Sequence, residues 1–359
     1  MRALLLVSLL LSLSCSGSGD TFDRAGMLAS LGQTVILPTY RDFVTRTATL
    51  DDAATALCAS PDATTLASAR QAYAAARVPL AQAEAFAIGP HTDSPLRLSP
   101  KVNFWPVRPD LVEELLATDT PIDVDATGSA ARGLPAIGYV LNGLAQAPAE
   151  DDAILAALPG RRCDYLRALT ANLEARANEY VTAWSPEGDD FAGQLAEGRG
   201  TFASVQAASS VMVEQLVFTT ENVRELEIGK PFGKRDAGVL QLDQQEDRFG
   251  GRSLADAWDA VRSVENVWRG RYGDTQGIGI RDWLLARRPA LEPMVEQSFA
   301  DVHAAFTALG DVTLDTAIAD NPTGVEEVYQ QVKLLQTILA VEVAQALAVT
   351  VTFNPTDGD

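Results

Sequence analysis

Apolar positions recur along this chain in alternating steps of three and four, the spacing that puts them on one face of an α-helix. From Val325 the series runs through Val328, Val332, Leu335, Leu339, Val343 and Ala346. A second passes through Phe202, Val205, Met212, Leu216, Val223 and Leu226, and a third through Leu66, Ala69, Tyr73, Leu80 and Phe86. Tyr165, Leu169, Leu173, Tyr180 and Trp184 make a fourth. Alternation with a period of two, the mark of a half-buried strand, is confined to ALAVTVTF near the end of the chain. Abundant Ala, Leu, Glu, Gln and Arg favour helix by intrinsic propensity as well. The pattern predicts an all-α protein built from antiparallel helical bundles.

Turn-forming residues interrupt the helical pattern at Gly89–Pro109, Ser185–Asp190 and Gly229–Ser253. The short middle segment, SPEGDD, is the predicted domain boundary, separating a bundle over 25–185 from a second over 190–359. The other two are too long for simple connectors, and long loops in compact domains are often functional. Ala72-Tyr73-Ala74-Ala75-Ala76-Arg77 is echoed by Ala257-Trp258-Asp259-Ala260-Val261-Arg262. With two equal helical halves, that echo suggests a duplicated four-helix bundle.

The ends and the charge add location. MRALLLVSLLLSLSC has one basic residue, an apolar run too short to span a bilayer, and small Ser14 before Cys15. Residues 1–15 therefore read as a signal peptide ending at a lipoprotein-type cysteine, with 16–24 as a flexible tether. The alternative is plain secretion with Cys15 removed. Lipidation at Cys15 places the protein in the bacterial cell envelope, as an outer-membrane lipoprotein touching the membrane only through its anchor. Cys58 and Cys163 then remain as an even pair in an oxidising compartment, predicting one disulfide, with two reduced buried thiols as the alternative. A formal net charge of −20 over 359 residues repels phosphate backbones, so nucleic acid is not an expected partner. The same field favours cations and basic partners, although surface solvation explains an acid excess equally well.

Candidate chemistry is sparse. Of the two histidines, His303 lies on a predicted helix between Phe299 and Phe306 and reads as structural. His91, beside Asp93 in the first long loop, either ligates a metal or caps a turn. No zinc-spaced cysteine cluster and no phosphate-cradling glycine loop is present in the sequence. Glu84 in PLAQAEAFAIGP and Glu214 in VMVEQLVF are carboxylates in apolar surroundings, which must find a partner or hold a proton. Arg77, two helical turns before Glu84, is one candidate partner, and Arg97 and Arg132 are others. The pair is either an ion pair tying a bundle together or the polar floor of a cleft.

Several segments resemble the imelysin-like proteins of bacterial envelopes, in order along nearly the whole mature chain. They are VILPTYRDFVTRTATLDDAATALC, LASARQAYAAARVPLAQAEAFAIGP, NFWPVRPDLVEELL around Trp105-Pro106, and RRCDYLRALTANL with the second cysteine. After GKPFG come Glu246-Asp247-Arg248 and Ser253-Leu254, and the tail is TVTFNPTDGD. The resemblance implies two helical bundles. It also implies either a peptidase, as founding members were described, or a role in iron acquisition. The family's Gly-x-His-x-x-Glu motif, proposed as metal-binding, falls on Gly133, Pro135 and Gly138 in RGLPAIGYVL, so both side-chain ligands are missing here. A metallopeptidase needs ligands for its ion and a base for its water, which argues for a non-enzymatic binding protein in iron or haem-linked uptake. Its expected cleft gathers Glu84, Trp105, Arg132, Gly133, Tyr139, Glu246, Arg248 and Ser253, where hard oxygen donors would suit ferric iron. The ligand is then a metal ion or a haem-type group, or the partner is another envelope protein. Two alternatives stand beside this reading. One is a peptidase working outside the motif, whose sign would be His91, Glu246 and Ser253 within hydrogen-bonding distance. The other is an interaction scaffold with a vestigial cleft.

Overall fold

In the computed structural model the described residues are 22–351. The predicted signal peptide with Cys15, residues 16–21 of the tether and residues 352–359 of the TVTFNPTDGD tail lie outside them. Helix α1 (Arg24–Leu31) runs through a π-helical turn (Gly32–Ile36) into α2 (Leu37–Ala59). Helix α3 (Ala63–Ala81) opens with a capping box, in which Asp62 accepts from the Thr65 amide at 2.8 Å and Thr65 accepts from the Asp62 amide at 3.1 Å. Helices α4 (Gly133–Asn142) and α5 (Arg161–Trp184) complete a ring in which α2 packs on α3 and α5, and α4 closes the gap between those two. Stacked Tyr40 and Tyr180, 4.6 Å apart, fill its centre with Trp184 and Phe86.

Ser185–Asp190 forms a turn after α5, and beyond it a second ring repeats the plan. Helix α6 (Val205–Asn222) packs on α7 (Ser253–Arg269) and α9 (Pro322–Thr337), while α8 (Glu292–Leu309) packs on α7 and α9. Ser204 caps α6, accepting from the Ala207 amide, and Asn321 caps α9 with Pro322 in its first turn. Every residue of the predicted Val325–Ala346 series is buried, and so is every residue of the Tyr165–Trp184 series. α1 crosses to pack on α6, and α3 lies against α7, so the rings share a seam. Among the described residues the only ladders are two-residue hairpins, Gly143–Leu144 with Ala147–Pro148 and Arg271–Tyr272 with Thr275–Gln276. The alternation predicted for ALAVTVTF makes no ladder as far as Val351, because Ala344–Leu347 closes the last helix instead.

Cys58 and Cys163 form the predicted disulfide, with Cα atoms 5.5 Å apart and a sequence separation of 105. It pins the end of α2 to the start of α5. A loop of that length stabilises by about 4–5 kcal/mol on the chain-entropy view, and removal of native disulfides costs about 2–5 kcal/mol in small secreted domains. Cys58→Ser, Cys163→Ser and the double variant should therefore share one lowered urea midpoint. A double variant clearly less stable than either single one would mean that the two sulfurs act independently.

Candidate functional site

The seam between α3 and α7 is polar, and Arg77 sits in it. Its side chain is 2% exposed. The Nη2 donates to Glu246 at 2.7 Å, the Nε donates to Asp256 at 2.6 Å, and Asp247 lies 3.6 Å away. Three carboxylates thus surround one guanidinium, which holds Arg77 well above its ordinary range against the cost of burial. Asp256 is also met by Arg252 at 3.2 Å, yet burial raises its carboxyl to about 7, with Arg77 pulling the other way. Further along the seam Gln82 donates to Asp259, Asn266 donates to Gln82, and the Ala85 amide donates to Ser263 Oγ at 2.9 Å. These bonds fix the turn Glu84–Phe86, and with it Glu84.

Glu84 opens onto a cavity of about 1180 Å³. The turn after α3, the loop carrying Asn103 and Trp105, and the end of α6 with the π-helical turn Val223–Gly229 form its walls. That π-turn presents Glu227 inward, and π-turns within α-helices occur often at functional sites. One oxygen each of Glu84, Glu227 and Glu246 lie within 4.8 Å of one another, an arrangement able to hold a metal ion. Glu246 is anchored by Arg77 and by the Asn103 amide at 2.7 Å. Glu227 is 3% exposed and its Oε2 has no hydrogen-bond partner. Among the described residues neither Glu84 nor Glu227 has a basic side chain within ion-pair distance. Burial, followed by repulsion from neighbouring carboxylates, pushes both well above the ordinary glutamate range.

The structure therefore brings Glu84, Trp105 and Glu246 to one cavity, together with His91. The other predicted residues lie elsewhere. Gly133, with φ +70°, lies where a Cβ would come 2.4 Å from the Val102 carbonyl, a close approach only glycine permits. Tyr139 donates to Glu113 and packs edge-on against Phe249. Arg132 reaches the Asp125 carbonyl at 3.4 Å. Arg248 is exposed over Phe249, and the Ser253 hydroxyl accepts from the Asp247 amide. Gly133 and Tyr139 lie on α4, which packs against α3 and α5 in the first ring, and none of these five residues lines the cavity. Arg77 pairs with Glu246 and Asp256, leaving Glu84 to the cavity, and Arg97 and Arg132 make no ion pair with Glu84. Half-buried Glu214 does not line the cavity.

Neither histidine joins a catalytic array among the described residues. His303 accepts from Trp258 at Nδ1 and meets Glu265 at 2.9 Å through Nε2, so both nitrogens are satisfied. His91 Nδ1 lies 2.7 Å from Tyr180 Oη, and burial pushes its imidazole down to about 4. No hydrogen bond links His91, Glu246 and Ser253 to one another. At the motif, Pro135 is buried on α4. A Cβ on Gly138 would meet Tyr73 Oη at 2.4 Å and Asp247 at 3.1 Å. Tyr73 donates to Asp247 at 2.7 Å, and this bonded pair fills the space into which a side chain at 138 would point.

Glu227 is the residue that the sequence reading passes over. Its signal is an acid on an apolar stripe: Met212, Leu216, Thr220 and Val223 lead to it in steps of four, four, three and four.

Two consequences can be measured. Replacing Arg77 with Met leaves three buried carboxylates without their cation and should cost about 3–5 kcal/mol of stability. Adding Asp256→Asn should restore part of it, and an additive double variant would show that the two groups are not coupled. The raised groups also set a pH dependence. Folded Glu227 keeps its proton above 4.5, the ordinary value at which the unfolded chain loses it. Its contribution therefore falls as pH rises from there toward neutrality, by at most about 1.4 kcal/mol per pH unit. Denaturant midpoints should show Glu227→Gln gaining on the wild type over that range, and parallel curves would contradict the shift.

Comparisons with known proteins agree with this architecture. A family model described as Imelysin (Peptidase_M75) matches residues 36–342. Iron-regulated protein A of Synechococcus elongatus is 25% identical over 329 residues, covering 88% of this chain and 86% of that protein. Two solved structures share the fold. One is a putative iron-regulated protein A precursor from Parabacteroides distasonis, with a TM-score of 0.74 at 19% identity, covering 92% of this chain and 97% of the other. The second is an imelysin-like protein from Psychrobacter arcticum, with a TM-score of 0.72 at 16% identity and the same coverage.

Proposed function

Because the chain belongs to the imelysin family, we propose that it is an exported cell-envelope protein that binds iron as cargo, tethered to the outer membrane by a lipid on Cys15. The observation that carries this reading is the trio of half-buried Glu84 with buried Glu227 and Glu246, in which one Glu227 oxygen has no partner among the described residues. The residues fit a hard cation on two grounds. All donors are carboxylate oxygens, the ligand type that hard ions prefer. Among the described residues the one guanidinium paired with the trio, that of Arg77, is already shared with Asp247 and Asp256, so the three carboxylates are short of positive charge until protons or a metal ion supply it. Glu84, Glu227 and Glu246 would hold the ion, Asn103 and Arg77 would orient Glu246, and His91 would stand by neutral on the same cavity. Binding would displace the protons held by Glu84 and Glu227.

Support for iron in particular comes from the relative in Synechococcus elongatus, whose name describes it as iron-regulated. The peptidase reading has less behind it, since the Gly133–Gly138 motif offers no side-chain ligand and, among the described residues, no array of nucleophile and base accompanies the carboxylate trio.

Calorimetric titration of the metal-free protein with ferrous iron under anaerobic conditions should give one site per chain. Glu227→Gln and Glu84→Gln should each weaken it by about 10–100-fold, the usual effect of disturbing a metal's supporting groups or more. Absence of binding, or binding indifferent to both substitutions, would overturn the assignment.

A further inference from the structure

The cavity is far larger than an ion requires. At about 1180 Å³ it exceeds the roughly 300–1,000 Å³ common for small-molecule pockets, while the three glutamates use only one part of its wall. The remaining wall is of mixed charge, with Arg224 and Arg235 beside Glu221 and Glu225. Arg235 lines the cavity and has no acidic partner among the described residues. Its neighbour Lys234 is by contrast tied to Glu326 and lies over Phe232 and Tyr329. Arg224 lines the same cavity with a single ion pair, to Glu225 at 2.7 Å, and its buried Nε has no partner. In a chain of net charge −20, two under-used guanidiniums on one cavity are an anion-binding feature, because planar guanidinium forks match carboxylates.

Resting on the iron-binding reading above, we propose that the cavity takes iron as a chelate with a small anionic hydroxycarboxylate, citrate being the probe of that class. The metal meets Glu84, Glu227 and Glu246, and the free carboxylates of the chelator meet Arg235 and Arg224. Three protein carboxylates leave coordination positions open on an octahedral ion, and the chelator fills them from the cavity side. Gln215 and Asn222, also on the wall, offer amides to its hydroxyl. Glu84, Glu227 and Glu246 then meet the cation, and the chelator carboxylates meet Arg235 and the unpartnered Nε side of Arg224, whose other side is held by Glu225. A bare ion would satisfy the first set and leave the second without a role.

The test is equilibrium dialysis of the metal-free protein against ferric citrate with separate radiolabels on iron and citrate, beside chelator-free ferrous iron. Iron and citrate should be retained together. Arg235→Glu should weaken ferric citrate by about tenfold or more while leaving ferrous iron unchanged, and Glu227→Gln should weaken both. Retention of iron without citrate, or of citrate without iron, would overturn the chelate proposal, as would an Arg235→Glu variant that binds ferric citrate normally. In those cases ferrous binding by the wild type keeps the metal reading intact. If the wild type binds neither form, the metal reading itself fails and the chelate proposal with it.

Discussion

The molecule turns on a guanidinium that cannot leave. Arg77 is enclosed between the two helical rings, and its partners come from the segment before α7 and from α7 itself. Much of the contact between the rings is apolar burial, which is non-directional and tolerates sliding, with further hydrogen bonds from Gln82, Ala85 and Tyr73 along the seam. The hydrogen bonds of Arg77 are directional, so they set the register of α3 on α7. Everything in the cavity inherits that register. Glu84 lies one short turn beyond α3, Glu246 is a direct partner of the guanidinium, and the Gln82 and Ala85 contacts to α7 follow along the same line.

The helical architecture was legible because helix burial is local information. A residue such as Val332 is buried by the side of the helix on which it falls, and that side is written in its neighbours three and four positions away. The disulfide was legible for a different reason, since two cysteines in an oxidising compartment leave one pairing. The site was legible only in part. Glu84 stands out as a charge in an apolar run, and Glu246 belongs to an acidic loop of the right kind. Which of them share a cavity depends on how two rings meet, and no local pattern carries that. Tyr139 shows the error this produces: it reads as an oxygen ligand, yet its helix turns it toward Glu113 and Phe249. Glu227 shows the converse: its place on the helical stripe is readable from spacing, but the π-turn that presents it to the cavity is not.

The empty motif on α4 also has a physical account. Gly138 lies directly against the Tyr73–Asp247 hydrogen bond, and Gly133 against the backbone at Val102. The space beside α4 is thus occupied by side chains from α3 and from the loop before α7. The carboxylates with room to act are those facing the cavity, one of them with an oxygen that no described residue satisfies.

The three glutamates come from places far apart in the chain, two in the second half and one in the first. No contiguous piece of the polypeptide carries more than a fragment of the site. An unfolded chain has these carboxylates scattered and no site for the proposed cargo. On the proposed reading, any selectivity appears only once both rings are built and docked. The architecture would then act as a clock as well as a container: what the protein could pick up would be decided by where it finishes folding.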